Sequence, residues 1–435
     1  MAHVVIIGAG IGGMSAAYEI REALGKAHQV SVVGEGRHFS FTPSNPWVGI
    51  GWREPADVQL DAAAALGKHG IAFIDVPAAR VHAAENRIEL ADGRSLDYDY
   101  LVLTTGPRLA FEEVPGLGPE GGHTQSVCTT AHATTAWQAY QRFLENPGPV
   151  VVGAAQGASC FGPAYEFAMI LDTDLRRRRL RDRVPMTFVT PEPYIGHMGL
   201  GGVGDSQGML ERQLRQRHIK WITNARIDQV EDGQMKVSGH DAHGQAVGQQ
   251  QLPFRYAMVI PAFTGIDALR GVEGLVNPRG FVLIDAQQRN PAFPNVYAAG
   301  VCVAIPPVEA TPVPTGAPKT GFMIESMVTA LTANIKAAIE GRQGTAEGTW
   351  NAVCLADMGD SGFAFVAIPQ IPPRNVTWAK EGKWVHLAKV GFEKYFMHKV
   401  RVGNTGTFYE SSLMKLLGIE RLKPARHESA TTPEA

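Results

Sequence analysis

The N-terminal segment places a strand, a glycine-rich turn, a helix and a second strand in close succession. The apolar strand is predicted at residues 4–8, the helix at 14–24 and the next strand at 30–33. An acidic residue follows about 22 residues after the last glycine of the turn, as a dinucleotide fingerprint requires. In that fingerprint the glycines let the backbone approach a pyrophosphate, and the carboxylate binds ribose hydroxyls. The matching residues are Gly8, Gly10, Gly13 and Glu35. The pattern predicts a Rossmann-like domain; the alternatives are a loop without ligand and an ordinary solvated carboxylate.

A second strand, turn and helix at residues 150–170 resembles the first, but its glycine pattern is degraded. Two of the three glycine positions hold Ala155 and Ala158, so added methyl groups occupy space that a pyrophosphate needs. Cys160 follows near the predicted start of the helix, where the helix dipole favours a thiolate. The segment therefore predicts a weakened nicotinamide site and sulfur redox chemistry in its place.

Composition excludes several classes of protein. The 435 residues are long enough for two or three domains, and a net charge of −2 favours no nucleic-acid partner. The N-terminus lacks the features of a signal peptide, and we expect an unexported chain without a membrane-spanning segment. No metal centre is predicted. The cysteines are too sparse for a secreted disulfide framework, so they are catalytic or incidental thiols: Cys128, Cys160, Cys302 and Cys354.

The order of strands and turns predicts one nucleotide-binding domain interrupted by another. A hairpin is expected around Asp92-Gly93, and short strands end at Gly106 and at Gly300. We expect a first domain in two parts, residues 1–115 and 265–350, and a second domain, residues 116–264, that carries Cys128 and Cys160. A C-terminal region is expected at residues 351–425 and a disordered tail at 426–435.

Several motifs resemble known flavoproteins. The Gly8 turn, the Thr104-Thr105-Gly106 strand end and the Val296-Tyr-Ala-Ala-Gly300 segment resemble the two-dinucleotide-binding-domain superfamily. Longer motifs, which run from residue 1 to about 425, resemble sulfide:quinone oxidoreductases. They are Ser44-Asn-Pro-Trp-Val, Ser159-Cys-Phe-Gly-Pro-Ala-Tyr-Glu166, Pro312-Val-Pro-Thr-Gly-Ala-Pro-Lys319-Thr-Gly and Trp350-Asn-Ala-Val-Cys354. The resemblance implies an α/β fold of two Rossmann-like domains, as in glutathione reductase, with FAD in the first.

The resemblance also implies catalytic residues. Cys160 and Cys354 would form a sulfur-bridged pair, because sulfide can attack a disulfide and the released thiolate can attack a flavin. Cys128 would take part in sulfide oxidation without a defined role. The alternative for the pair is two isolated core thiols. Three further candidates could accept protons or have structural roles: His132, His197 and Glu166.

The cofactor-binding residues follow from the same resemblance. A cation at Lys319 would stabilise an anionic reduced flavin. The superfamily's Ala-Gly-Asp is here Ala-Gly-Val, so the hydrogen bond of that carboxylate is lost, and Cys302 has no family counterpart. We interpret Cys302 as a small buried side chain. Besides the first glycine turn and Glu35, the predicted cofactor-binding residues are Pro46, Thr105, Gly106, Gly300, Val301 and Lys319.

The C-terminal region is basic and amphipathic. Residues 374–426 contain eleven Lys or Arg and four Asp or Glu. One helical face would hold Trp384, Leu387, Ala388, Gly391, Phe392, Tyr395 and Phe396, with Lys383, Lys389, Lys394 and Lys399 elsewhere, and a second stripe would run from Tyr409 to Leu417. Such helices suit an anionic membrane surface, although they could also pack on the protein's own core. By resemblance, a quinone site would be lined by Phe363, Phe392, Phe396 and Tyr409.

These observations predict an FAD-dependent sulfide:quinone oxidoreductase, bound peripherally to the cell membrane and possibly a homo-oligomer. Two alternatives remain at this stage. A type II NADH:quinone oxidoreductase would use intact glycines in the second turn and would not need a thiol pair. A non-catalytic flavin-binding module is mildly favoured only by Val301.

Overall fold

The computed structural model describes residues 1–403 and 420–424. The helices within them are α1 (Ile11–Leu24), α2 (Asn45–Gly49), α3 (Ala62–Gly67), α4 (Thr130–Glu145), α5 (Gly162–Arg177), α6 (Ser206–Gln216), α7 (Gly321–Ile339) and α8 (Lys383–Val402). The strands are β1 (His3–Ile7), β2 (Gln29–Gly34), β3 (His38–Ser40), β4 (Gln59–Asp61), β5 (Ala72–Asp75), β6 (Ala78–His82), β7 (Arg87–Leu90), β8 (Ser95–Asp97), β9 (Tyr100–Leu103), β10 (Arg108–Leu109), β11 (Val150–Ala154), β12 (Met186–Val189), β13 (Ile219–Ile222), β14 (Ala225–Glu231), β15 (Gln234–His240), β16 (Ala246–Pro253), β17 (Tyr256–Ile260), β18 (Phe263–Thr264), β19 (Val296–Ala298), β20 (Ala352–Asp357), β21 (Gly362–Ile368) and β22 (Val376–Gly382).

The first sheet is wholly parallel, in the order β19-β9-β1-β2-β5. Its central strand β1 is apolar and almost entirely buried, as expected of a strand covered on both faces. Because the strands that follow β1 lie on both sides of it, a crevice opens at the carboxyl ends of the strands, where such sheets bind nucleotides. An antiparallel sheet, β6-β7-β8, accompanies it, and the predicted hairpin at Asp92-Gly93 is confirmed between β7 and β8.

The second sheet is also parallel, in the order β13-β12-β11-β17, and has its own antiparallel sheet, β14-β15-β16. The short strands β10 and β18 pair where the chain leaves the first sheet and returns to it. The two Rossmann-like folds are thus confirmed, while the domain limits at residues 115, 264 and 350 stay a prediction.

The C-terminal region differs from the predicted helical region in its first part. Residues 352–382 form the antiparallel sheet β20-β21-β22, and only then does α8 begin. The first predicted helix is confirmed as α8. The second stripe, including Tyr409, and the predicted disordered tail lie outside the described residues.

Helix α8 has an unusual distribution of charge. Lys389 and Lys399 are buried and form ion pairs with Glu166 and Glu325, so they do not belong to a basic surface as predicted. The outer face carries Trp384 and Leu387, which are 48% and 69% exposed. The helix is therefore held by ion pairs and by buried apolar side chains on its inner face, and it exposes these two apolar side chains on its outer face.

One helix in the described part of the chain, α7, is long and apolar enough by composition to cross a membrane. The expectation of a chain without a membrane-spanning segment stays a prediction. Most of α7 is buried, and it packs against α1 and β19 within the first domain. Because a core helix passes the same test of length and composition, α7 is weak support for a membrane span.

Candidate active site

The first glycine turn is shaped to hold a pyrophosphate. A Cβ at Gly13 would lie 1.7 Å from the carbonyl oxygen of Gly8, and one at Gly8 would lie 2.3 Å from the carbonyl oxygen of Thr104, so both close approaches require glycine. A Cβ at Gly10, by contrast, would meet no atom within 4 Å. Gly10 is the N-cap residue of α1, whose first N–H groups receive no side-chain cap. Free N–H groups beside open space at the start of a 14-residue helix fit an anionic diphosphate.

The other predicted cofactor residues gather at the same edge of the first sheet. Thr105 and Gly106 follow β9, Gly300 and Val301 follow β19, and exposed Glu35 follows β2. Since these strands are parallel, their carboxyl ends lie side by side. Pro46 is buried on α2 rather than at this edge. The sheet therefore brings most of the predicted set together.

Lys319 is a partly buried cation that precedes α7. Burial lowers its pKa to about 8, although Cys302 and Cys160 favour its charged form. Its ammonium lies 5.1 Å from the centre of the Phe281 ring. Within the described residues it has no carboxylate partner, and a buried ammonium normally requires one. The environment fits an anionic group such as a reduced flavin ring.

The thiols at positions 128, 160 and 354 pack against a single hydrophobic core of the second domain. Cys128 precedes α4, Cys160 precedes α5, and Cys354 lies on β20 opposite Phe365. Electrostatic interactions couple Cys160 to Cys128 and Cys354 to Cys160. Folding thus makes neighbours of three cysteines that are far apart in sequence.

All four cysteines are free thiols in this structure. The expected thiolate-favouring environment of Cys160 is wrong, because α5 begins only at Gly162 and burial raises the pKa of Cys160 to about 12. Burial likewise raises the pKa of Cys354 to about 12 and that of Cys128 to about 11. Two lysines act in the opposite direction and favour the thiolates: Lys319 at Cys160 and Lys389 at Cys354. Each of these two thiols therefore has its own cation.

Cys302 belongs to a different core. Its thiol donates to the carbonyl oxygens of Leu103 at 3.2 Å and Ala299 at 3.3 Å, in the first domain. It is fully buried, which agrees with its interpretation as a small core side chain.

The degraded second turn is occupied by the protein itself. The N–H of Gly157 donates to the carbonyl oxygen of Pro314 at 2.7 Å, and the N–H of Gly316 donates to that of Ala158 at 2.8 Å. A Cβ at Gly316 would lie 2.7 Å from the Cβ of Ser159. The segment that leads to Lys319 therefore covers the backbone that would cradle a second pyrophosphate. This cover adds to the methyl groups of Ala155 and Ala158 as an obstacle to a nicotinamide dinucleotide.

The two predicted catalytic histidines have other partners. His197 is buried, its Nδ1 accepts from the N–H of Gly199 at 3.1 Å, and its Nε2 donates to Glu309 at 2.9 Å. With both ring nitrogens bound, and with its pKa lowered by burial, His197 fits a structural role in this loop better than direct proton transfer. His132 contacts Glu120 through Nε2 at 3.1 Å, and its buried Nδ1 has no partner in the described structure.

Glu166 is buried between α5, β20 and α8. Burial raises its pKa to about 7, Asp357 adds to that rise, and the Lys389 ammonium opposes it through an ion pair. Glu166 is therefore not a surface charge. Lys389 and Asp357 were missed by sequence reasoning, and the only available signal was a lysine on an otherwise apolar part of α8.

The predicted quinone residues fall in two places. Phe363 is buried in the core that contains the thiols. Phe392 and Phe396 lie in an aromatic cluster with Phe41 and Phe322, at ring-centre distances of 5.2–6.3 Å. The last two residues were not predicted, because they belong to distant segments. Tyr409 lies outside the described residues.

A nucleotide cradle in one Rossmann-like domain, beside buried thiols in a second, is characteristic of two-domain flavin and thiol oxidoreductases. Residues 2–323 match the family described as pyridine nucleotide-disulphide oxidoreductase. This class of enzyme implies a flavin cofactor, and the cradle at Gly10 and the partly buried Lys319 both fit one.

Comparison with individual proteins narrows the class. The chain is 39% identical to a sulfide-quinone reductase of Aquifex aeolicus over 95% of its own length and 94% of the relative's. The crystal structure of the Aquifex aeolicus sulfide:quinone oxidoreductase superimposes with a TM-score of 0.93 at 36% identity, over the full length of both chains. NDH2 of Plasmodium falciparum, in complex with NADH, superimposes with a TM-score of 0.68 at 12% identity over 97% of this chain and all of its own, which shows a shared fold. The chain belongs to the pyridine nucleotide-disulphide oxidoreductase family and, within it, to the sulfide-quinone reductases.

Proposed function

We propose that this protein is an FAD-dependent sulfide:quinone oxidoreductase that oxidises sulfide to zero-valent sulfur. The observation that carries the proposal is the convergence of Cys128, Cys160 and Cys354 on one buried site. A lysine accompanies each of the last two thiols, and the backbone turn beside Cys160 is closed to a nicotinamide dinucleotide. These features serve sulfur chemistry and serve no step of NADH oxidation.

The cysteines are reduced in this structure, so Cys160 and Cys354 would first lose two protons and two electrons to form a sulfur bridge, with bound FAD as the acceptor. Sulfide then attacks that bridge and releases one thiolate. Cys160 retains the added sulfur as a persulfide, and Cys354 is the thiolate that faces the cofactor. Bound FAD supplies a two-electron acceptor at this point. Oxidation of hydrogen sulfide to zero-valent sulfur releases two protons together with the two electrons.

The lysines and Glu166 support these steps. Lys389 stabilises the released thiolate of Cys354, and Lys319 stabilises negative charge near Cys160 and the cofactor. Glu166 accepts a proton at its carboxylate, because its pKa of about 7 lets it exchange protons near neutral pH. His132 could accept a second proton through its unpartnered Nδ1.

The electrons leave to a membrane quinone. Phe392 and Phe396 supply the aromatic surface that a quinone ring would contact. The exposed Trp384 and Leu387 on the same helix would enter the headgroup boundary of a bilayer and bring the site to its lipid-soluble acceptor. This supports peripheral attachment to the membrane through α8.

The alternatives are less well supported. A type II NADH:quinone oxidoreductase would need access to the turn at Gly157, which the Pro314–Gly316 backbone covers. A non-catalytic flavin module gives no reason to bury two lysines, wholly or in part, beside two thiols, since such burial costs free energy. Both features favour the sulfide enzyme.

The deciding experiment is anaerobic and follows the flavin absorbance. Sulfide should bleach the purified holoenzyme, a short-chain quinone should restore the colour, and NADH should do neither. Cys160→Ala and Cys354→Ala should abolish bleaching by sulfide. Cys302→Ser is the matched control, since this thiol lies in another core, and it should bleach as the natural protein does. Bleaching by NADH, or wild-type rates in either alanine variant, would contradict the proposal.

A further inference from the structure

Asp357 and His386 form a second polar pair, which lies between the buried Glu166–Lys389 pair and solvent. Asp357 is fully buried, and its Oδ1 accepts from His386 Nδ1 at 2.8 Å and from the N–H of Gly359 at 3.0 Å. Its Oδ2 accepts from Trp47 Nε1 at 2.8 Å. The His386 side chain is 32% exposed. The pair thus connects a buried carboxylate to the surface of the protein.

The two pairs are adjacent because the same two elements carry them. Asp357 lies three residues after Cys354 on β20, and His386 lies one helical turn before Lys389 on α8. Trp47 joins the pairs: the Lys389 ammonium lies 4.9 Å from the centre of its ring, while its N–H bonds Asp357. Asp357 therefore contacts His386 on one side and lies close to the surroundings of Glu166 on the other.

The charges that face Glu166 are few. Lys389 approaches from α8 and lowers the pKa of Glu166, whereas the Asp357 carboxylate on β20 raises it. The Asp357 N–H partly offsets that rise. From α2, Trp47 brings no charge of its own, although Arg53 also lies over its ring, at 4.5 Å. The Asp357 carboxylate is thus the one anion that opposes ionisation of Glu166 in the interactions described.

We propose that His386 is a positioning residue for sulfide oxidation, which acts through Asp357 to set the pH range in which Glu166 exchanges a proton beside Cys354. The inference rests on the proposed function, where Glu166 accepts a proton released from sulfide. Through its N–H group, His386 donates to Asp357 and offsets part of the negative charge on that carboxylate.

Substitution of His386 and substitution of Asp357 should shift the pKa of Glu166 in opposite directions. His386→Leu leaves the Asp357 carboxylate without this donor, so repulsion of Glu166 grows and its pKa rises. Asp357→Asn removes the negative charge, so the pKa of Glu166 falls. Each shift should be about half a unit to one unit, since the acting charge is not in direct contact with Glu166. When Asp357→Asn is already present, adding His386→Leu should not shift the pKa of Glu166 further, because the carboxylate through which His386 acts has been removed.

The test measures the pH dependence of sulfide-driven flavin bleaching in the holoenzyme by anaerobic stopped flow, from about pH 5.5 to 9. The infrared band of the protonated carboxyl group, titrated in the oxidised protein and assigned with Glu166→Gln, gives a second readout that needs no turnover. His398→Leu is the control, since His398 is exposed on the same helix, and both readouts should match the natural protein. The proposal predicts that His386→Leu raises both midpoints.

Unshifted midpoints in His386→Leu, with bleaching intact, would overturn the proposal. If sulfide fails to bleach the natural protein, the proposed function fails, and the infrared titration still decides the link between His386 and Glu166. Should Asp357→Asn fail to fold, as thermal melting would reveal, the partly exposed His386 provides the decisive variant.

Discussion

Replacing Lys389 by methionine should destabilise the protein in a manner that depends strongly on pH. The lysine is only 4% exposed, and its removal leaves the buried Glu166 carboxylate without a cation. Breaking one half of a buried ion pair costs about 3–5 kcal/mol when the remaining group stays charged. Glu166 can instead take up a proton, because burial already raises its pKa from 4.5 to about 7.

The pH dependence follows from this raised pKa. A carboxyl group whose pKa is higher in the folded state favours folding in its protonated form, so its contribution to stability falls as pH rises above 4.5. In the natural protein the decline ends near pH 7, where Glu166 ionises in the folded state. Without Lys389 the pKa rises further and the decline continues, by about 1.4 kcal/mol for each pH unit. The variant should therefore differ little from the natural protein at pH 6 and be about 3 kcal/mol less stable at pH 9.

Urea unfolding of both proteins at pH 6, 7, 8 and 9 measures this difference. The double variant Lys389→Met/Glu166→Gln is the control: it has neither charge, and its difference from the natural protein should change little above pH 7. A loss in Lys389→Met that is equal at pH 6 and pH 9 would show that the methionine only disturbs packing. The argument that Glu166 governs the pH dependence would then fail.

Three further predictions concern the cofactor site, the second turn and the membrane. Lys319→Met should lower the potential of the bound flavin, by about 30 mV for each 1.4 kcal/mol of lost stabilisation, as measured by equilibration with redox dyes; an unchanged potential would place the ammonium away from the ring. Ala158→Gly should not permit bleaching by NADH, since the Gly316 N–H still donates to the carbonyl oxygen of residue 158, and bleaching of this variant would refute the explanation. Trp384→Ser with Leu387→Ser should weaken sedimentation with anionic liposomes at least about tenfold, because each buried apolar side chain contributes about 1.5–3 kcal/mol. Activity with a short-chain quinone should persist, and unchanged sedimentation would remove α8 as the membrane contact.

Substitution tests membrane attachment better than deletion of α8 would. Three charged residues on its inner face are buried in ion pairs with the rest of the protein: Lys389 with Glu166, Glu393 with Arg53, and Lys399 with Glu325. Deletion would leave the buried Glu166 carboxylate without its cation and uncover the core beneath the helix. Loss of binding after deletion would then report unfolding as readily as a lost membrane contact.

The first domain could be predicted from sequence because its signals are local. The glycine spacing, the strand before it and Glu35 after it all lie within one βαβ unit, where short-range sterics determine the fold. The thiol site has no such local signal. Cys160 precedes α5 and Cys354 lies on β20, so the two come together only in the folded protein, and their pairing follows from the family resemblance.

The parts of the prediction that were wrong or incomplete also depend on contacts between residues that are distant in sequence. The apolar period of α8 identified a helix, but periodicity does not state which face meets the protein, and the inner face holds Lys389, whose partner is 223 residues away. The sequence predicts a weakened second nucleotide site from the methyl groups at residues 155 and 158, but it does not predict that the Pro314–Gly316 backbone also covers the turn. That segment also leads to Lys319, the cation beside Cys160. One long-range contact thus covers the second turn and brings Lys319 to Cys160, so we expect both features of this chain to change together in any variant that displaces the segment.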